Sequence, residues 1–154
     1  MSTKDLIQAL GERNQKVAVA ESITGGAVLS ELISIPGASA VISGGIVSYQ
    51  TESKINVLGV PAQVIATSGV ISEQTAIEMA VAVRAKFDAD IAVATTGVAG
   101  PDSQDGEPVG RVFIAVASAH GSWVESYLFT GDRAQIRAAA VQAAIALLGK
   151  HSGS

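Results

Sequence analysis

Few side chains in this 154-residue chain could act as nucleophile or base, because it contains no cysteine and two histidines. His120 lies in a predicted hairpin turn and His151 near the end of the chain, so we expect neither a Ser-His-Asp triad nor a multi-histidine metal site. The lack of cysteine also excludes thiolate nucleophiles, zinc ribbons, iron–sulfur clusters and disulfides. A serine or threonine nucleophile would need a base other than histidine.

Lys54 is the lysine best placed to be that base. It lies in the first turn of a predicted short helix, directly after a predicted strand, where the helix dipole and partial burial would both lower the pKa of its ammonium group. A lysine that is neutral near pH 7 can deprotonate a serine, as in Ser-Lys catalysis. An ordinary exposed lysine is the alternative interpretation. Spacing alone does not select the serine, since four are close in sequence: Ser39, Ser43, Ser48 and Ser53.

Three glycine-containing turns that follow predicted strands could bind an anion. Glycine lets a ligand approach the main chain, and the start of a helix presents free N–H groups with a partial positive charge. None of the turns is a named phosphate-binding motif, so tight turns without a ligand are the alternative interpretation. The turns are Thr24-Gly25-Gly26, Thr96-Gly97-Val98-Ala99-Gly100 and Gly131-Asp132-Arg133.

Two arginines at the start of the last predicted helix could hold such an anion. Arg133 and Arg137 are four residues apart, so they lie on one helix face, where they repel each other and oppose the helix dipole. A bound phosphate would relieve that repulsion. A solvated pair balanced by nearby carboxylates is the alternative.

The elements that would position these residues alternate between helices and strands. This order predicts a single-domain α/β fold over residues 1–154, namely a three-layer α/β/α sandwich with a mixed, mostly parallel sheet. In such a fold, ligands bind beyond the carboxyl ends of the strands. We expect residues 60–69 to be irregular or extended and 150–154 to be a frayed tail. Helices are predicted at 3–14, 26–35, 52–58, 73–87 and 133–148, and strands at 16–21, 41–50, 90–95, 111–118 and 123–130, with a bulge or close backbone approach at Gly44-Gly45.

The composition limits the class of partner. Hydrophobic residues make up 48% of the chain and charged residues 16%, with a formal net charge of -4, so no nucleic-acid surface is indicated. No apolar run approaches the roughly 18 residues of a membrane span, and the first residues lack the pattern of a signal peptide. We therefore expect a soluble cytoplasmic protein without a membrane partner.

Eight segments of the chain, taken together, match one known protein family. The segments are Ala20-Glu21-Ser22-Ile23-Thr24-Gly25-Gly26, Pro36-Gly37-Ala38-Ser39, Gly44-Gly45-Ile46-Val47-Ser48-Tyr49 through Lys54, Leu58-Gly59-Val60, Gly69-Val70-Ile71-Ser72-Glu73, Thr96-Gly97-Val98-Ala99-Gly100-Pro101, Pro108-Val109-Gly110 and Gly131-Asp132-Arg133. With these segments in this order, the chain resembles the C-terminal domain of the competence/damage-inducible protein CinA, and the resemblance covers about residues 4 to 148, nearly the whole chain. Stand-alone members of this family are nicotinamide-nucleotide amidases.

The resemblance implies a role for each matching site residue. Ser39 would be the nucleophile and Lys54 its base, Tyr49 would orient the pair, and Thr96 would complete the site. This amidase interpretation requires the side chains of Ser39 and Lys54 to share a proton, directly or through a water molecule, and it fails if they point to different surfaces. The implied nucleotide-binding residues are Glu21, Ser22, Thr24, Gly25, Gly26, Gly97, Gly100, Arg133 and Arg137.

The implied reaction is hydrolysis of the carboxamide of nicotinamide mononucleotide to nicotinate mononucleotide and ammonia, with no metal or other cofactor and with a homo-oligomer as the assembly. A non-catalytic module that binds a pyridine nucleotide is the main alternative, and a structural oligomerisation domain is a weaker one. Relatives often have cysteine in place of Ile23, asparagine in place of Thr51 and a longer loop at 102–107, and these differences bear on substrate contacts.

Overall fold

Five strands and six helices form the part of the chain that this computed structural model describes, residues 1–153. The strands are β1 (Val17–Glu21), β2 (Ile42–Val47), β3 (Ile91–Gly97), β4 (Arg111–Ser118) and β5 (Gly121–Leu128). The helices are α1 (Thr3–Glu12), α2 (Ala27–Ile33), α3 (Thr51–Ser53), α4 (Ala62–Ser68), α5 (Glu73–Phe87) and α6 (Arg133–His151). A 3₁₀ turn covers Ala38–Ala40 and a π-helical turn covers Lys54–Leu58.

The strands form one mixed sheet in the order β2-β1-β3-β4-β5. β1 pairs in parallel with β2 and β3, whereas β4 pairs antiparallel with β3 and β5, so two of the four pairings are parallel. The β4–β5 pairing is the predicted hairpin around His120. The predicted mixed-sheet α/β class is confirmed.

Helices cover both faces of the sheet, because the buried strands are apolar on both sides. Along β1, Val17 and Val19 point into a core that includes residues of α1, α2 and α6, and Ala18 and Ala20 point into a core built largely with α5. All four side chains are fully buried. The three-layer arrangement follows from this alternation.

The predicted close backbone approach at Gly44-Gly45 is confirmed. The register between β1 and β2 shifts after Val17, which is the signature of a bulge. A Cβ atom at Gly45 would lie 2.8 Å from the Val19 carbonyl oxygen, so a larger residue would push the two strands apart.

Two predictions are wrong, one for a connecting segment and one for the C-terminal residues. Residues 60–69 are not irregular but contain α4, which Pro61 precedes and Gly69 follows, the residue types that favour a helix start and a helix end. The expected tail is not frayed, because α6 continues to His151, whose ring stacks on Trp123 with centroids 4.2 Å apart. Ser154 lies outside the described residues. None of the described helices is both long and apolar enough to cross a membrane.

Candidate active site

The carboxyl ends of the three parallel strands meet at one edge of the sheet and surround a pocket. Ser22 directly follows β1, Tyr49 lies two residues beyond β2, and Gly97 ends β3. The pocket has a volume of about 150 Å³. Its polar lining includes Ser22, Tyr49, Lys54, Thr96, Asp102 and Arg133.

A buried lysine and a serine form a hydrogen bond in this pocket. Lys54 Nζ lies 2.8 Å from Ser22 Oγ. The same ammonium donates to the carbonyl oxygens of Ser48 at 2.6 Å and Tyr49 at 3.3 Å. Lys54 is 1% exposed and Ser22 is 8% exposed, so the pair is screened from bulk water on most sides.

Burial lowers the pKa of Lys54 from 10.5 to about 8. Among the described residues, no carboxylate forms an ion pair with Lys54 that would restore its charge. With this pKa, roughly 9% of the molecules carry a neutral amine at pH 7, compared with about 0.03% for an ordinary lysine. The site therefore holds a usable base within proton-transfer distance of a serine hydroxyl.

The backbone around Lys54 explains how a lysine becomes buried there. Lys54 begins the π-helical turn, and the Val60 N–H donates to its carbonyl oxygen at 2.9 Å. Leu58 and Val60 are fully buried in the core beside α5, which anchors the turn against the sheet. Such π turns often occur at functional sites.

The turn that carries Ser22 is fixed by two charged side chains outside the pocket lining. The carboxylate of Glu21 accepts from the N–H groups of Val28 at 2.9 Å and Leu29 at 3.0 Å at the start of α2. From α6, Arg137 donates to the carbonyl oxygens of Ile23 at 3.0 Å and Thr24 at 2.9 Å. Glu21 and Arg137 thus hold the Ser22 turn in place.

The rim of the pocket is built around Arg133. Its guanidinium donates to the Gly100 carbonyl oxygen at 2.8 Å and to the Tyr49 hydroxyl at 3.2 Å. Neither partner is a carboxylate, so the charge of Arg133 is available to an anionic ligand at the mouth of the pocket, where Tyr49 is 59% exposed.

The opposite wall comes from the segment before α5 and from the loop after β3. Thr96 Oγ1 donates to the Val70 carbonyl oxygen at 3.1 Å. The Val70 N–H donates to Asp105 at 3.3 Å, which ties loop 102–107 to this wall. Asp102 and Gln104 of that loop line the pocket with the apolar side chains of Val70 and Ile71.

Comparison with known proteins identifies the family. Residues 2–151 match the CinA C-terminal domain. The chain belongs to the CinA C-terminal domain family. It is 46% identical over 138 residues to a competence-damage inducible protein of Desulforamulus reducens, and this match covers 90% of this chain and 34% of that protein. It is also 46% identical over 139 residues to a CinA-like protein of Frankia casuarinae, and this match covers 90% of this chain and 32% of that protein.

A solved CinA-family structure has the same fold. The competence/damage inducible protein of Agrobacterium tumefaciens superposes with a TM-score of 0.93 at 33% identity, covering 99% of this chain and 93% of that one. The chain therefore spans nearly all of this solved structure but about a third of the length of the two sequence relatives.

The structure does not bring the predicted nucleophile Ser39 to Lys54, and we correct that pairing. Ser39 lies before β2, at the amino end of the strand, and is exposed in a separate apolar depression with Ile33 and Ile42. Lys54 follows β2, at its carboxyl end. A six-residue strand separates its two ends by roughly 17 Å, which is too far for proton transfer.

Several predicted nucleotide-binding residues also lie outside the pocket lining. Glu21 and Arg137 hold backbone groups instead, and Thr24 Oγ1 lies in a buried hydrogen bond with Thr95 Oγ1 at 2.8 Å. The pocket lining does include Ser22, Tyr49, Lys54, Thr96, Gly97, Gly100 and Arg133, but not Glu21, Thr24, Gly25, Gly26, Ser39 or Arg137.

The sequence does contain a signal for the Ser22–Lys54 pair. Ser22 follows β1 and Lys54 follows the parallel strand β2, and groups at the carboxyl ends of adjacent parallel strands meet at one edge. Asp102, Gln104 and Val70 escape prediction because no periodicity marks loop residues that line a pocket. Among residues 1–153, no group of three or more histidine, aspartate or glutamate side chains is placed to bind a metal.

Proposed function

We propose that the protein is a nicotinamide-nucleotide amidase in which Ser22 is the nucleophile and Lys54 its base. The observation that carries this proposal is the 2.8 Å contact between the Lys54 amine and the Ser22 hydroxyl, beside a pocket and with the pKa of Lys54 lowered to about 8. A serine and a partly neutral lysine are sufficient for acyl transfer without histidine.

In the first half-reaction, the neutral amine of Lys54 takes the proton of the Ser22 hydroxyl, and Oγ attacks the carboxamide carbon. The tetrahedral intermediate carries a negative oxygen that needs N–H donors. When the C–N bond breaks, Lys54 returns the proton to the leaving nitrogen, so ammonia departs and a nicotinoyl ester remains on Ser22.

In the second half-reaction, Lys54 is neutral again and activates a water molecule. The water attacks the ester carbon, and Lys54 returns the proton to Ser22 Oγ as the C–O bond breaks. The products are nicotinate mononucleotide and the free enzyme. No step uses a metal or an organic cofactor.

The lining of the pocket supports a nucleotide amide as the substrate class. Val70 and Ile71 provide apolar surface for a pyridine ring, and Arg133 at the rim provides a cation for a phosphate. Phosphate binding at the rim would position the carboxamide beside Ser22. Membership of the CinA C-terminal domain family supports nicotinamide mononucleotide as that amide, and a cytoplasmic homo-oligomer remains the expected form of the protein.

The test compares ammonia release from nicotinamide mononucleotide by the wild type, Ser22→Ala and Ser39→Ala. We expect Ser22→Ala to lose turnover while it still binds the nucleotide in calorimetry, and Ser39→Ala to retain turnover. Binding without turnover by the wild type would favour the ligand-binding module. Full activity of Ser22→Ala would refute the assignment.

A further inference from the structure

The peptide group that follows Ser22 has a free donor. The Ser22 carbonyl oxygen accepts from the Gly25 N–H at 3.1 Å, inside the turn. In a planar trans peptide the carbonyl and N–H point in opposite directions, so the Ile23 N–H points out of the turn. Within residues 1–153 this N–H has no acceptor, and Ile23 lines the pocket.

A second free donor lies at the end of β3, and the strand register fixes its direction. The Val98 N–H donates to the Arg111 carbonyl oxygen at 2.9 Å, so Thr96, two residues earlier, also exchanges its backbone hydrogen bonds with β4. The Thr96 carbonyl therefore faces β4. The Gly97 N–H, in the same peptide group, faces the opposite side, where Ser22 follows β1.

The usual parallel partner of this Gly97 donor is already engaged. The Ser22 N–H donates to the Thr95 carbonyl oxygen at 3.1 Å, which continues the β1–β3 ladder by one step. The next step would pair the Gly97 N–H with the Ser22 carbonyl, but that oxygen accepts from Gly25 instead. Among the described residues the Gly97 N–H therefore has no partner in the β4 register and no acceptor in a turn or loop, and Gly97 lines the pocket.

We propose that the Ile23 and Gly97 N–H groups form the oxyanion hole of the amidase, an inference that rests on the proposed function. One donor lies next to the nucleophile in sequence and the other comes from the neighbouring strand, so they approach the reacting carbon from two elements. Both peptide planes are held by other hydrogen bonds, so the donors are fixed before substrate binds. Such preorganised donors stabilise charge that develops in the transition state.

Side-chain substitution cannot test the Gly97 donor cleanly. A Cβ atom there would lie 2.6 Å from the Arg111 carbonyl oxygen and would displace β4. Replacement of the residue by glycolate, through in vitro translation with a suppressor tRNA, exchanges the N–H for an ester oxygen and adds no atoms. Gly37→glycolate is the matched control. Gly37 lies near Ser39 at the other end of β2, a Cβ atom there would have no neighbour within 4 Å, and its N–H has no acceptor among the described residues.

We expect Gly97→glycolate to lower kcat by about 10²- to 10³-fold with little change in KM, the effect of losing one oxyanion donor. Gly37→glycolate should retain the wild-type kcat. Thermal unfolding of both variants checks that the fold is intact. A Gly97 ester variant that is folded and has the wild-type kcat would overturn the assignment.

A second measurement uses the unmodified backbone. The aldehyde analogue of nicotinamide mononucleotide should form a hemiacetal with Ser22, and the amide proton resonances of Ile23 and Gly97 should then shift downfield in the labelled wild type but not in Ser22→Ala. A hemiacetal that forms without these two shifts would overturn the oxyanion hole alone. If no hemiacetal forms and no ammonia is released, the proposed function fails and this inference fails with it.

Discussion

The pH dependence of turnover tests the role of Lys54 most specifically. If its neutral amine is the base, kcat/KM should rise with pH and level off above the pKa of about 8. The neutral fraction is roughly 9% at pH 7 and about 91% at pH 9, so we expect kcat/KM to rise about tenfold over this range. With an unburied lysine as the base, kcat/KM would still rise about tenfold per pH unit at pH 9.

The assay measures initial rates of ammonia release at low nicotinamide mononucleotide concentration between pH 7 and 9.5. Ser22→Ala at each pH supplies the background of spontaneous hydrolysis. Lys54→Arg should be inactive throughout, because a guanidinium stays protonated in this range. A profile that is flat from pH 7 to 9, or an active Lys54→Arg variant, would refute the assignment of Lys54 as the base.

Three further outcomes follow from the contacts at the site. Arg133→Ala should raise KM more for the nucleotide than for nicotinamide riboside. An equal rise in KM for the two substrates would show that Arg133 does not bind the phosphate. Arg137→Ala should lower kcat and speed hydrogen exchange at residues 23–26, whereas Arg84→Ala, which removes a bond of the same kind to the Asp90 carbonyl at 3.0 Å, should change neither. Lys54→Met should increase the free energy of unfolding at pH 7 by up to about 3 kcal/mol, reduced by the free energy that the hydrogen bonds of Lys54 contribute. Because the pKa of Lys54 is lower in the folded state, the free energy of unfolding of the wild type should rise between pH 8 and 10.5. Denaturant titrations should therefore find that the stability difference between Lys54→Met and the wild type becomes smaller over that pH range.

Most of the fold could be predicted because apolar spacing is a local signal. The hydrophobic repeats of α1 and α5 and the short apolar runs of β1 and β3 all correspond to elements of the structure. The helix α4 escapes prediction because its seven residues are too few for a clear repeat and none is buried. Its end signals, Pro61 and Gly69, are present in the sequence, but each alone is weak.

The site could be predicted less well because it depends on which ends of the strands meet. Lys54 can be identified from its position after a strand, and its burial confirms the expected direction of its pKa shift. Ser39 is indicated only by the resemblance of its segment, although the strand predicted between Ser39 and Lys54 places them at opposite ends. The hydrogen bonds of Glu21 and Arg137 to distant backbone groups leave no pattern in the sequence.

The most direct test of the account is to find where the acyl group forms. The wild type is mixed with nicotinamide mononucleotide, quenched in acid within one turnover, digested and analysed by mass spectrometry. We expect a nicotinoyl nucleotide ester on the peptide that contains Ser22, present in Ser39→Ala and absent in Ser22→Ala. An ester on Ser39, or ammonia release by Ser22→Ala at the wild-type rate, would contradict it.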